Sequence, residues 1–168
     1  STHDVNSWQG TSIELYGDAY KMLTAFTYIF PGMPLLYTGQ EYDLNKRLLF
    51  FEKDNFIKKT GQTMRFLQKL GKLKNTNDAL SAGVGRAAYQ SLTGLVNMNY
   101  GKENQIFAFK RTSLKNEVIL IANMSKNYAQ FTMNFNGKFK NFSDGKFKKL
   151  SDSYEYVMKP WEFWILLN

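Results

Sequence analysis

The sequence has no cysteine, a single histidine, three prolines and no apolar run long enough to cross a bilayer. Without cysteine there is no disulfide framework, no thiolate metal site and no Cys/His nucleophile pair, although this absence leaves the compartment open. No phosphate-binding glycine loop and no metal cluster of convincing spacing is present, so no cofactor and no metal are expected. A spanning helix needs about 20 consecutive apolar residues, and Ser1-Thr2-His3-Asp4 has neither a basic start nor a signal-like apolar segment. No membrane partner is expected, and the chain begins abruptly, as if cut.

What is present is a globular composition. Of 168 residues, 43% are apolar and 16% aromatic, enough for a buried core in one or two domains. The formal charge of +8 raises nucleic acid as a partner, so its distribution matters. Lysines are scattered singly or in pairs. The densest run, Lys138, Lys140, Lys146, Lys148 and Lys149, alternates with Phe139, Phe142 and Phe147, as a half-buried strand pair with a solvated lysine face would. That reading is preferred, and no nucleic-acid partner is expected, but aromatic interleaving keeps a basic nucleic-acid-binding β domain as an alternative.

The stretch Pro31 to Glu41 sets the architecture expected of the first half. Its apolar centre, Leu35 to Tyr37, lies between Pro34 and Gly39 without alternation, the pattern of a parallel strand buried on both faces. Helical patterns flank it. Before it, a polar loop from Val5 to Gly10 leads to Thr11 and Glu14 at capping-box spacing. Leu15, Ala19, Met22, Leu23, Phe26, Ile29 and Phe30 then recur helically, with Gly17-Asp18 as a bend or restart. After it, Tyr42 to Lys59 reads as a loop with short helical turns. Met64, Leu67, Leu70 and Leu73 predict a second helix over about residues 62–74, with lysines gathered at its C-terminal end.

Asn75 to Gly85 is polar and glycine-bearing, and from Arg86 the pattern becomes one of short strands. Gln105–Arg111 and Val118–Asn123 are β-rich, and Ala129, Phe131, Met133 and Phe135 alternate with polar residues. Asn136-Gly137 and Asp144-Gly145 carry hairpin chemistry, predicting a three-strand meander. Tyr154, Tyr156 and Met158 alternate again, and Phe163–Leu167 closes the chain. The expected fold class is α+β: the last βα units of a (β/α)8 barrel in residues 1–80, then an all-β antiparallel sandwich of about eight strands in residues 81–168.

One pair remains for chemistry, His3-Asp4. Alone it is weak, and a structural hydrogen-bonding histidine would suffice to explain it. If Leu35–Tyr37 is a barrel strand, however, the residues before the first helix lie at the C-terminal tip of the preceding strand, where barrel active sites are built. His3 and Asp4 would then sit beside the tip formed by Tyr37, Gln40 and Glu41, with Trp8 on the intervening loop.

These residues carry a resemblance. Thr2-His3-Asp4, Ser7-Trp8-Gln9-Gly10-Thr11, Gly17-Asp18-Ala19 and Pro31 to Glu41, continued by Lys46-Arg47-Leu48 and Phe50 to Asp54, are similar to the α-amylase family of glycoside hydrolases, closest to bacterial amylase and cyclomaltodextrinase-like members. The β-rich half resembles that family's C-terminal domain in its pattern and in its final strands containing Trp161. The resemblance implies that Asp4 is the third acidic residue of the site, stabilising an oxocarbenium-like transition state, and that His3 binds the same sugar. Trp8 either stacks on a sugar ring or packs its loop. Tyr37, Gln40 and Glu41 are expected to order the strand tip and do no chemistry. Neither His3 nor Asp4 breaks the bond. The family's nucleophilic aspartate and general-acid glutamate correspond to nothing in this sequence, so an inactive fragment is expected, whose partners are an α-glucan together with the missing barrel, or a second copy of itself. A carbohydrate-binding β module without catalysis is the other alternative.

Overall fold

Five consecutive apolar residues, Val118 to Ala122, have no polar face to offer water, so a strand made of them requires cover on both sides. The computed structural model describes residues 1–81, 87–92, 96–98 and 105–168 and provides that cover. Helices α1 (Ser12–Tyr16), α2 (Tyr20–Ile29) and α3 (Gln62–Thr76) precede strands β1 (Ala88–Ser91), β2 (Val96–Met98), β3 (Ile106–Thr112), β4 (Glu117–Asn123), β5 (Ala129–Met133), β6 (Gly137–Asn141), β7 (Phe147–Leu150), β8 (Tyr156–Met158) and β9 (Phe163–Leu167). The strands form a six-stranded sheet, ordered β1-β3-β4-β9-β6-β7, and a three-stranded sheet, β2-β5-β8. Every pairing is antiparallel.

Register decides which core each side chain enters. Phe109 faces Leu120, and Leu120 faces Ile165, so these three share a face, which packs on Ala25, Ile29, Leu70 and Leu80. The alternate residues Ile106, Ala108, Ile119, Ile121, Trp164 and Leu166 turn the other way, onto Ala129, Phe131, Met133 and Met158 of the small sheet. The result is three layers: helices, large sheet, small sheet. Phe109 anchors the helical side, with the rings of Phe26, Phe30, Tyr89 and Phe107 within 5.9 Å of its own.

Two cations, buried Arg111 and half-buried Lys74, tie the helices to the sheet. Arg111 of β3 donates to the carbonyls of Ile29 and Ser81, and Lys74 of α3 donates to those of Tyr28 and Leu80. Burial pushes both side chains below their ordinary pKa. Carbonyls at the end of α2 carry the negative end of its dipole and offset part of that desolvation.

Several expectations change. Leu35–Tyr37 forms no strand: the described residues provide no parallel neighbour for its backbone, and Leu35 and Leu36 are exposed. The barrel units are therefore not displayed by this chain. Val5–Gln9 is a π-helical turn instead of a loop, entered through helical Asp4. The first helix is interrupted at Gly17, whose φ of 47° is accessible to glycine, while the Thr11–Glu14 capping box forms as expected. Asp144-Gly145 does make the β6–β7 hairpin, with Gly145 at φ 71°. Asn136-Gly137 does not make one, because β5 and β6 belong to different sheets. Gly137 is needed there for space, since a Cβ would collide with the Phe139 ring. The end of the polar segment at Gly85 and the start of the strand pattern at Arg86 lie outside the described residues.

The turn Lys159–Glu162 before β9 is closed by Glu162 N–H donating to the Lys159 carbonyl, and it carries Trp161 at φ 57°, where glycine or asparagine is usual. Such a conformation costs a bulky residue about 1–3 kcal/mol.

Phe109→Ala is expected to lower unfolding free energy by about 3–5 kcal/mol in urea titration. Phe147→Ala, at an exposed position, should change it by less than about 0.5 kcal/mol.

Candidate functional site

The N-terminal turn is built from two local bonds. Thr2 Oγ1 accepts from Val5 N–H at 3.3 Å, and the Thr2 carbonyl accepts from Asn6 N–H at 2.9 Å. This places His3 and Asp4 at the start of the helical turn and Trp8 at its far end. His3 Nε2 and Asp4 Oδ2 are 3.3 Å apart, and both side chains are largely exposed.

The turn is fastened to the segment after Gly39. Asn6 is buried; its Oδ1 accepts from Leu48 N–H at 2.8 Å and its Nδ2 donates to the Lys46 carbonyl. Ser7 Oγ donates to the Leu48 carbonyl at 2.7 Å. Arg47 reaches Glu14 at 3.0 Å, and Lys46 pairs with Asp54, whose other oxygen accepts from Leu49 N–H. These bonds fix Phe50 between two site rings: its centroid lies 5.4 Å from that of His3 and 5.5 Å from that of Trp8. Phe51 packs edge-on against Phe50 at 4.7 Å and is itself exposed. The product is an open aromatic ridge of His3, Phe50, Phe51 and Trp8, flanked by the Asp4 carboxylate.

A ridge of this kind offers flat faces to the C–H side of a pyranose, while a carboxylate accepts from its hydroxyls. The structure thus brings together three sequence-predicted residues, His3, Asp4 and Trp8. Tyr37 and Gln40 stand apart in a turn of their own: Gln40 N–H donates to the Tyr37 carbonyl, Tyr37 N–H donates to Gln40 Oε1, and Tyr20 Oη contacts the Gln40 carbonyl. Glu41 follows in a short 3-10 turn. Phe50, Phe51 and Asn6 were assigned no role from the sequence. Adjacent phenylalanines in a charged loop were the available signal for the first two, whereas nothing marks Asn6 before its partners are seen. Among the described residues no cluster of three or more His, Asp or Glu side chains could hold a metal ion.

No family model and no curated protein matches the sequence. Solved structures match it in fold. A maltogenic α-amylase of Thermotoga neapolitana aligns with the whole chain at TM-score 0.76 and 15% identity, over 40% of its own length. An α-amylase of Lactobacillus plantarum aligns with all of it at 0.67 and 14%, over 37% of its length. The chain shares its fold with a part of these α-amylases. A cyclomaltodextrin glucanotransferase also covers the chain fully, at 0.66 and 15%, over 35% of its length. The chain therefore spans little more than a third of the proteins it resembles, and the small antiparallel α+β architecture is the shared feature.

Glu14 and Asp54 give the loop a pH dependence. Bonds from Thr11 N–H and then Arg47 hold Glu14 below the usual carboxylate range; Lys46 and then Leu49 N–H do so for Asp54. A carboxyl group with a lowered folded-state pKa stabilises the fold fully above its unfolded value, and this contribution is lost as pH falls through the folded value. Limited proteolysis across residues 44–55 should accelerate on acidification below the carboxylate range, and less so in Glu14→Gln. Asn6→Ala, which strands the buried Leu48 N–H, should cost about 1–3 kcal/mol in urea unfolding.

Proposed function

We propose that this chain is the C-terminal part of an α-amylase-family glycosidase. Residues 1–80 would belong to the end of the (β/α)8 barrel, and residues 81–168 would form the sandwich domain behind it. The described helices end by Leu80 and the described strands begin at Ala88, which supports that division. The observation that carries the functional reading is the exposed Asp4 carboxylate, 3.3 Å from His3 and beside the ridge of Phe50 and Trp8, in a fold shared with α-amylases over its whole length.

In the intact enzyme Asp4 holds sugar hydroxyls and favours the oxocarbenium-like transition state, because a fixed anion attracts the ring more strongly as positive charge develops. His3 grips the same sugar, and Trp8 with Phe50 supports its apolar face. The nucleophile and general acid of a retaining mechanism come from barrel residues outside this sequence, and the substrate is an α-glucan of the starch type. Tyr37, Gln40 and Glu41 order the neighbouring loop. Neither a cofactor nor a nucleic-acid partner is invoked. Met33, Leu35 and Ile57 are exposed apolar side chains on residues assigned to the barrel half, which suits contact with the remaining staves or, in the isolated chain, with a second copy.

The isolated chain should release no reducing sugar from starch above the level of a His3→Ala/Asp4→Asn double variant, and light scattering should find a dimer or larger species. In the full-length enzyme Asp4→Asn should lower kcat about 100-fold or more while leaving the fold intact by circular dichroism. Normal turnover in that variant would refute the assignment.

A second reading, glucan binding by the β-rich half, is favoured by Tyr154. It is exposed, lies 4.9 Å edge-on from Tyr156, and borders a groove of about 570 Å³ shared with Lys148 and Trp164. Maltooligosaccharide titration followed by tryptophan fluorescence tests it: saturable change supports binding, and a flat response excludes it.

A further inference from the structure

A second groove, of about 420 Å³, runs between α3 and the Lys159–Glu162 turn. It shares no lining residue with the His3–Asp4 ridge or with the groove at Tyr154. Its size is within the range of small-ligand sites, roughly 300–1,000 Å³. Three cations line it: Lys21 from α2, and Arg65 and Lys69 one turn apart on α3. Like charges at that spacing oppose each other and weaken a helix. Neither Arg65 nor Lys69 has a side-chain partner among the described residues, and Lys21 Nζ lies 5.2 Å from the centre of the Phe66 ring, itself part of the wall. The one carboxylate in the lining, Glu162, is already engaged: Oε1 accepts from Trp164 Nε1 at 2.9 Å and Oε2 from Lys159 N–H at 2.8 Å. These neutral donors orient Glu162 without cancelling its charge, so three cations against one carboxylate leave the groove net positive, with aromatic walls from Phe66, Phe142 and Trp161.

Trp161 is held there against its backbone preference. Its turn is secured from behind by buried Asn123, whose Nδ2 donates to the carbonyl of Lys159 at 2.9 Å and whose Oδ1 accepts from Ser125. Trp161 N–H in turn donates to the Ser125 carbonyl at 3.2 Å. A strained turn that keeps a half-buried indole at the edge of a cationic groove is a preset stacking surface.

We propose that this groove binds a phosphorylated saccharide, with the phosphate between Lys21, Arg65 and Lys69 and a sugar ring against Trp161. The anionic group follows from three cations outnumbering the one carboxylate, which is turned onto Trp164 and Lys159 N–H; that the ring belongs to an α-glucan rests on the function proposed above. Phosphate suits both a guanidinium fork and the compact ammonium charges.

Isothermal titration of the 168-residue chain with maltotriose carrying one 6-phosphate, with plain maltotriose and with inorganic phosphate tests this. The phosphorylated sugar is expected to bind at least about tenfold more tightly than either other probe, and Arg65→Gln/Lys69→Gln to lose about tenfold or more of that affinity. Trp161→Gly should weaken binding without lowering the thermal midpoint, because glycine accepts the positive φ; a tryptophan serving only to pack the turn would lower it. Phe147→Ala, outside the lining of the groove, should leave the affinity unchanged. Equal binding of phosphorylated and plain maltotriose, no effect of the double charge variant, or tighter binding of a single-stranded oligonucleotide would each overturn the proposal. Cellobiose bearing the same phosphate, if bound equally well, supports the groove and counts against the glucan reading, so the two failures are separable.

Discussion

The structure depends on burying β3, β4 and β9 on both faces. A strand such as Val118 to Ala122 loses its apolar surface from water only if something lies above and below the sheet, and here the two covers differ in kind. The small β2-β5-β8 sheet covers one side in the manner of a sandwich. Helices α2 and α3 cover the other. Apolar burial on the helical side also explains why helices drawn from the first half of the chain have a defined position at all. Short amphipathic helices are marginal alone in water and gain their stability from the surface they cover. Buried Arg111 and half-buried Lys74 then fix where those helices end, since the compensation for their desolvation comes from carbonyls at helix termini and the turn after α3.

The two surfaces proposed to meet ligands stand in different relations to that core. The ridge joins one helical turn, which carries His3 and Trp8, to a loop that carries Phe50 and Phe51, and its geometry is set by polar bonds, above all the paired bonds of Asn6. Such a surface can be re-aimed by a few hydrogen bonds. The groove at Trp161 is attached directly to the start of β9 and to α3, so the backbone that carries its cations and indole is held by the packed layers. This contrast suits the proposed division of labour, in which the ridge finishes a site supplied elsewhere and the groove is complete within the chain.

Local chemistry was legible wherever it was self-contained. Thr11 and Glu14 form the expected capping box, Leu67 and Leu70 lie buried on the inner face of α3, and Asp144-Gly145 turns β6 into β7. The expectation for Leu35–Tyr37 failed for an instructive reason. A non-alternating apolar run signals two-sided burial but not the neighbour that provides it. In this chain that signal is satisfied by β4, in an antiparallel sheet, while Leu35 and Leu36 have no partner strand among the described residues and stay exposed. Asn136-Gly137 misled in the same way. Its dipeptide matches a hairpin, yet the glycine is required by the ring of Phe139 and the chain crosses from one sheet to the other.

By itself, then, the sequence determined things that depend on neighbours a few residues away: the Thr11–Glu14 helix start, the alternation of Ala129, Phe131 and Met133, and the positive φ at Gly145, while His3, Asp4 and Trp8 were singled out as sugar-holding candidates only through the family resemblance. Tertiary structure alone decided the rest. It set which of two apolar runs became a central strand, placed Phe50 between His3 and Trp8 through bonds from Asn6 to Lys46 and Leu48, and brought Lys21, Arg65 and Lys69 to face Trp161 across a groove. Those arrangements join residues from 40 to 140 positions apart, measured roughly along the chain, and local propensity carries no information at that range.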